Sequence, residues 1–326
     1  MEGTVWAELL DSFRHKHKFE NAAQLLDYLD TDFRWARMVR SDQSEDTSNL
    51  LPAARRPGDL TSEVVEGPLA NATSVAEVEM HSWVDPATFA APDYSAVRER
   101  WPDHAVVVTA GWWPLFWGTC EAFGVESALI NLVHHPALFE ASVRAIHERY
   151  MDRLQRVLTA ARDIADICWL GDDFATQESM FLSPDHWREF IKPYLAEQVA
   201  LARSHGMYVL YHSCGSIRPV IRDLIDIGVN GHLVFQTNAR NMNPESIAAE
   251  FGGNIVFYGG MDVQHLLSFG NSESVKNEVT RNVDSFRSCG GYVVANSHHR
   301  VLTIRGELIE AMCRAAHQSA AVGIGE

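Results

Sequence analysis

"MYVLYHSCG" (residues 207–215) is a short apolar run that gives way to a histidine, a cysteine and a glycine. Its length and apolar character read as a buried strand. Side chains alternate along a strand, so His212 and Cys214 point the same way, as do Tyr208 and Leu210. Five further runs have the same form: "HAVVVTAG" (104–111), "IADICWLGDD" (164–173), "GHLVFQT" (231–237), "NIVFYGGMD" (254–262) and "GYVVANSHH" (291–299). Longer segments of helical period lie between them. Two of these open on clear start signals, Ser183-Pro184 and Asn243-Pro244-Glu245. Strand–helix alternation with strands apolar on both faces implies a parallel sheet covered by helices. An open doubly wound sheet and a closed barrel both satisfy that pattern. No G-x-G-x-x-G follows an early strand, which argues against a dinucleotide-binding sheet. Instead, polar residues collect where many different strands end, as in "WLGDDFATQ", "YHSCGS", "VFQTN" and "YGGMDVQ". That is how a barrel builds its active face. The expected fold is therefore α/β, a (β/α)8 TIM-type barrel with an N-terminal helical extension.

In the first ~35 residues, Trp6, Leu9, Leu10 and Phe13, then Ala22, Leu25, Leu26 and Leu29, fall at three-to-four spacing and predict helix. Residues 40–74 are polar, carry three prolines and hold no sustained period, the mark of an excursion or a short two-stranded feature rather than core. The chain thus divides into an extension over 1–74 and a barrel over 75–326. Six strands are clear after residue 100; the other two of an eight-stranded barrel must come from the first hundred residues, where the pattern does not place them.

The 326 residues carry a formal net charge of -16 and 46% hydrophobic residues. An acidic surface argues against nucleic acid or an anionic membrane as partner. No stretch approaches the roughly 18–20 uncharged apolar residues of a membrane span. The five cysteines are scattered and odd in number, which suits a reducing cytoplasm better than a disulfide framework.

Imidazole nitrogen and thiolate sulfur both suit zinc, which typically takes four donors. His212 and Cys214 supply two. Asp172, Asp173, Asp262, Gln236 and the His298-His299 pair are the candidates to complete a set. The competing account makes His212 a hydrogen-bonded strand-end residue and Cys214 a buried thiol. Asp172 and Asp173 could ligate a metal, act as acid or base, or cap a helix; Asp262, among glycines, offers the same choice. Ser297 and His299 share one direction and His298 the other, so one histidine of the pair is expected at the mouth. "GWWPLFWGTCEAFG" (111–124) concentrates aromatic side chains that form either an apolar wall over a ligand or packing beneath the rim. Trp112, Trp113, Gln177, Tyr211, Gln236 and Ser297, all at strand ends, are the candidate substrate-binding residues.

The linked motifs "WLGDDFATQESMFLSPDHWREFIKPYLAEQVALARSHGMYVLYHSCGSIRPVIRDLIDIGVNG", "YGGMDVQ" and "GGYVVANSH" resemble the uroporphyrinogen decarboxylase superfamily over about residues 75–315. Within it the chain is similar to the branch related to cobalamin-dependent thiol methyltransferases. The resemblance implies a (β/α)8 barrel. For the methyltransferase branch it implies zinc held by His-x-Cys and a later cysteine, activating a thiol that attacks a methyl group on a corrinoid. His212 and Cys214 match the first two ligands. Ser297 stands near the place of the third, so either His298, His299 or Asp173 is the substitute or zinc is absent; Cys289 lies too early in the chain. The decarboxylase branch is metal-free and uses an N-terminal arginine-rich segment, which "RWARMVR" and "AARRPG" do not reproduce.

These readings yield three expectations. The first is a zinc-dependent methyl or alkyl transferase with His212, Cys214 and His298 on the metal and Asp172, Asp173 and Asp262 in catalysis. Its methyl donor is an external methyl-corrinoid, and its partners are a small-molecule substrate, a corrinoid protein and a second copy in a homodimer. The second is a metal-free decarboxylase or lyase working through Asp173 or Asp262. The third is a non-catalytic binding subunit.

Overall fold

A computed structural model describes residues 13, 19, 22–36, 66–86, 93–298 and 304–322. Its centre is a parallel sheet of seven strands in simple sequential order: β1 (Phe33–Ala36), β2 (Ala105–Val108), β3 (Ile167–Gly171), β4 (Tyr208–His212), β5 (Gly231–Phe235), β6 (Val256–Met261) and β7 (Tyr292–Asn296). Every neighbouring pair is parallel, so all seven strands end on the same side. Helices alternate with the strands from β2 onward.

The six apolar runs all form strands, within the bounds expected of them. The first strand lies at Phe33–Ala36, inside the segment read as an extension, and pairs with β2 in register Phe33↔Ala105. Of the eight strands expected, seven are present among the described residues. Trp6, Leu9 and Leu10 lie outside the described residues, as does most of 40–74; an N-terminal helix is seen at Ala22–Tyr28.

The sheet curls on itself. Phe33 of β1 meets Tyr258 of β6 edge to face, with ring centroids 5.5 Å apart. Around that contact Val107, Ile167, Leu210, Leu233 and Val234 form a buried interior cluster. The N-terminal helix packs against the last two strands. Leu25 and Leu29 share a buried cluster with Met261 at the end of β6, with Val263 just after it, and with Leu308, Ile309 and Met312 of the C-terminal helix Gly306–Val322. Tyr28 donates to Glu310 of that helix at 3.0 Å. The helices Ala22–Tyr28 and Gly306–Val322 thus meet at a seam beside β6 and β7. The larger outer cluster lies between strands and helices and includes fully buried Trp187, Phe116, Phe139 and Phe257.

Local chemistry accounts for the helix boundaries. Ser183 accepts from His186 N–H and Asn243 from Ser246 N–H, each ahead of a first-turn proline. The long helical stretch after residue 125 breaks at His135, because Pro136 cannot follow within a helix without losing a hydrogen bond; it opens a new helix to Ala160 instead.

Candidate functional site

Asp173, His212 and Cys214 meet where β3 and β4 end. Gly171 of β3 is level with His212 of β4, which brings the residues that follow each strand side by side. His212, 2% exposed, places Nε2 3.2 Å from Asp173 Oδ1. The Cys214 thiol donates to that same oxygen at 3.4 Å. Burial pushes the Asp173 carboxyl up, but the hydrogen bonds from His212 and Cys214 and the charges of His212 and His298 outweigh it and hold the group well below the usual carboxylate range. Asp173 is thus an ionised group with two donors on one oxygen.

Tryptophans wall this cluster. Trp112, in the loop after β2, stands edge-on to the His212 ring at 5.3 Å. Trp169 of β3 stacks on Trp112 at 5.8 Å and reaches His212 at 6.0 Å. Their approach depends on Gly171: a Cβ there would come within 2.9 Å of both His212 Cβ and a ring carbon of Trp112. His298, after β7, lies with its ring centroid 6.3 Å from that of His212.

Asp172 faces the other way. Its carboxylate accepts from the backbone N–H groups of Phe116 at 2.7 Å and Trp117 at 3.0 Å, and from Asp173 N–H at 2.8 Å. The helix Leu115–Phe123 begins after Pro114, which has no capping side chain, so Asp172 satisfies its first-turn donors from a neighbouring strand end. Burial is the main reason its carboxyl is pushed up to about 7, against the lowering effect of those N–H groups. Asp172 is therefore a cap that ties β3 to the aromatic loop.

The remaining candidates divide by location. Trp113, 3% exposed, packs in the outer layer against Tyr150 and under the Arg153 guanidinium, away from the mouth cluster. Tyr211, 1% exposed, stacks with Phe174 in that same layer. Gln236 is buried and accepts from Gly215 N–H at 2.6 Å. Ser297 is buried and continues the β6–β7 ladder through its N–H to Met261. Gln177 and Asp262 belong to a second polar group on the rim. There Gln177 donates to Gln264 at 2.6 Å, and Asp262 accepts from Gln264 N–H at 2.8 Å and pairs with His265 at 3.0 Å. Cys289 packs in the outer layer, its thiol directed at the Phe286 carbonyl. His299 lies outside the described residues.

Two residues escaped the sequence reading. Trp169 was hidden in an apolar run, although period-two alternation from Asp173 through Gly171 would have placed it on the same side. His232, in "GHLVFQT", has no motif around it; its Nε2 lies 2.8 Å from the Ser213 carbonyl. Only the tertiary pairing of β4 with β5 reveals it.

Imidazole, thiol and carboxylate are the donor types zinc takes. Their present arrangement is a hydrogen-bonded one: among the described residues no group of three or more His, Cys, Asp and Glu side chains is set to hold a metal ion. Zinc binding would require the His212 and Cys214 protons directed at Asp173 Oδ1 to leave and the side chains to regroup. No described helix is long and apolar enough to cross a membrane.

Residues 120–319 match a family model described as uroporphyrinogen decarboxylase (URO-D). Among solved structures, a methyltransferase from Methanosarcina mazei is similar at TM-score 0.56 and 18% identity, over 72% of this chain and 69% of that one. A likeness at that identity speaks for the fold. The 3-keto-D-glucoside 4-epimerase YcjR from E. coli matches more loosely, at TM-score 0.38 and 10% identity, over 65% of this chain and 89% of that one. No curated protein matches the chain.

Proposed function

The chain belongs to the uroporphyrinogen decarboxylase family, and from that premise we propose that it is an enzyme of the methyltransferase type, moving a methyl or other alkyl group to a thiol or similar nucleophile at the barrel mouth. The observation that carries this proposal is the convergence of His212 and Cys214 on Asp173 Oδ1. Asp173 orients an imidazole and a thiol from the next strand toward one point, and the stacked Trp112 and Trp169 offer an apolar surface suited to an alkyl group and to excluding water. The fold neighbour in Methanosarcina mazei is itself named a methyltransferase, which supports the same choice.

Zinc and a methyl-corrinoid donor are parts of the proposal, zinc resting on the donor types of His212 and Cys214 with Asp173 and His298 beside them. The test is incubation of the purified protein with methylcobalamin and a panel of small thiols, followed by the absorbance change on demethylation, with elemental analysis of the same preparation. Thiol-dependent demethylation that is lost in Cys214→Ser and Asp173→Asn supports the proposal. Wild-type protein that leaves methylcobalamin unchanged with every thiol, or variants that match it, overturns it. Stoichiometric zinc that falls away in His212→Ala supports the metal assignment; its absence from active protein removes zinc alone.

The hydrogen bonds that now occupy Asp173 favour a second, metal-free reading. An ionised carboxylate at the mouth could hold an N–H or cationic part of a substrate that loses carbon dioxide. Carbon dioxide release that persists in chelator and fails in Asp173→Asn would favour it over alkyl transfer.

A further inference from the structure

Strand β5 grips the turn that carries Cys214 from two points. His232 meets the carbonyl of Ser213 at 2.8 Å, and Gln236 accepts from the N–H of Gly215 at 2.6 Å. Ser213 and Gly215 are the residues on either side of Cys214. Both grips are dry: His232 is fully buried and Gln236 is 7% exposed. A carbonyl can only accept, so His232 carries its proton on Nε2. Its buried Nδ1 has no hydrogen-bond partner among the described residues, as expected of the bare nitrogen of a neutral ring.

Regular alternation would put residues 232, 234 and 236 on one face of β5. The strand breaks that rule. Its register against β6 slips between Leu233 and Phe235, and Leu233 and Val234 both join the interior cluster. Val234 has φ +76°, a conformation costly for a β-branched side chain. Phe235 then packs in the outer layer, as does Phe257, the ring against which His232 lies. The extra residue therefore turns Gln236 to the side opposite His232, so that the turn is held from both. A bulge beside an active site commonly re-aims one side chain in this way. The turn also lies close against the neighbouring loop: Gly215 has φ +87°, and a Cβ there would come 2.3 Å from the Thr176 carbonyl oxygen.

We propose that His232 and Gln236 are positioning residues, brought to opposite sides of one turn by the bulge at Val234, that hold the Cys214 thiol on Asp173. This assignment rests on the reading of the mouth cluster as the functional site. Neither side chain is required to touch substrate.

The test reads the thiol itself and needs no turnover. Alkylation of Cys214 by iodoacetamide is followed by peptide mass spectrometry as a function of pH, in wild type, His232→Phe, His232→Gln, Gln236→Met and Gln236→Glu. Removing a grip in His232→Phe or Gln236→Met is expected to change the alkylation rate about fivefold or more, or to move its pH midpoint by about one unit. Gln, which keeps an N–H donor, and Glu, which keeps an acceptor, are expected to restore much of the wild-type profile. Folded Phe and Met variants with the wild-type profile overturn the proposal. Hydrogen exchange on the wild-type protein gives a second readout. Slow exchange of the Gly215 amide, comparable to β4, supports the grip, and fast exchange overturns it. A shifted thiol profile in a protein that transfers no alkyl group would defeat the proposed reaction and leave the positioning role standing.

Discussion

Asp172 and Asp173 are consecutive, yet their carboxylates bond to different parts of the fold: Asp172 to the first turn of Leu115–Phe123, Asp173 to His212 and Cys214 at the mouth. The two should separate stability from activity. Asp172→Ala takes the acceptor from three N–H groups, those of Phe116, Trp117 and Asp173, and is expected to cost about 1–3 kcal/mol in urea unfolding. Asp173→Asn is expected to unfold close to wild type while losing activity by about a hundredfold or more. Equal destabilisation by both would contradict the division.

Opposed pH effects are expected from Asp172 and His232. The Asp172 carboxyl is raised from 3.8 to about 7, mainly by burial, so between those values the folded state holds the proton that the unfolded state has lost. Its contribution to stability therefore falls as pH rises from about 4 to about 7. Burial lowers His232 from 6.5 to about 4, so over that range the unfolded state takes the proton that the folded state refuses. Its contribution falls as pH drops from about 6.5 to about 4. Each amounts to a few kcal/mol, and over the shared window they offset one another. Asp172→Asn is expected to make unfolding more acid-sensitive than wild type, and His232→Gln less so. Denaturant titrations between pH 4.5 and 7 measure both.

Gly171→Ala puts a methyl group within 2.9 Å of His212 Cβ and the Trp112 ring. Backbone atoms of two hydrogen-bonded strands cannot yield easily, so the Trp112 ring should be the part that moves. Tryptophan fluorescence should shift, and activity should fall about tenfold or more as the apolar wall leaves His212. An unchanged emission spectrum with full activity would show that Trp112 does not need its place.

Leu25→Ala tests the seam. Leu25 is fully buried in the cluster that joins the N-terminal helix to the C-terminal one. Its truncation is expected to cost about 2–5 kcal/mol. The Cys214 alkylation rate of the folded variant should stay near wild type, because the seam packs beside β6 and β7 and the thiol sits after β4. A destabilisation below about 1 kcal/mol would mean the helix does not hold that seam together.

The fold was legible in the chain because period and burial are local properties. Six strands announced themselves as short apolar runs, since a parallel strand covered on both faces has no polar positions to spare. The strand at Phe33–Ala36 did not, because "FRWA" carries an arginine and continues a helical pattern. Arg34 is 1% exposed, and its charge is met by Asp27 at 2.8 Å. Strand ends likewise marked His212, Cys214 and the Asp172-Asp173 pair as candidates for one mouth.

Which of two adjacent aspartates meets the histidine, and which tryptophan walls it, depended on how far each strand runs and how its neighbour is aligned. Tertiary structure alone decided that Asp172 caps a helix, that Trp113 and Tyr211 pack in the outer layer, and that His232 and Gln236 hold the Cys214 turn. The physical reason is that a hydrogen bond is fixed by distances of a few tenths of an ångström between residues far apart in sequence. A one-residue slip in β5 is enough to redirect every side chain after it.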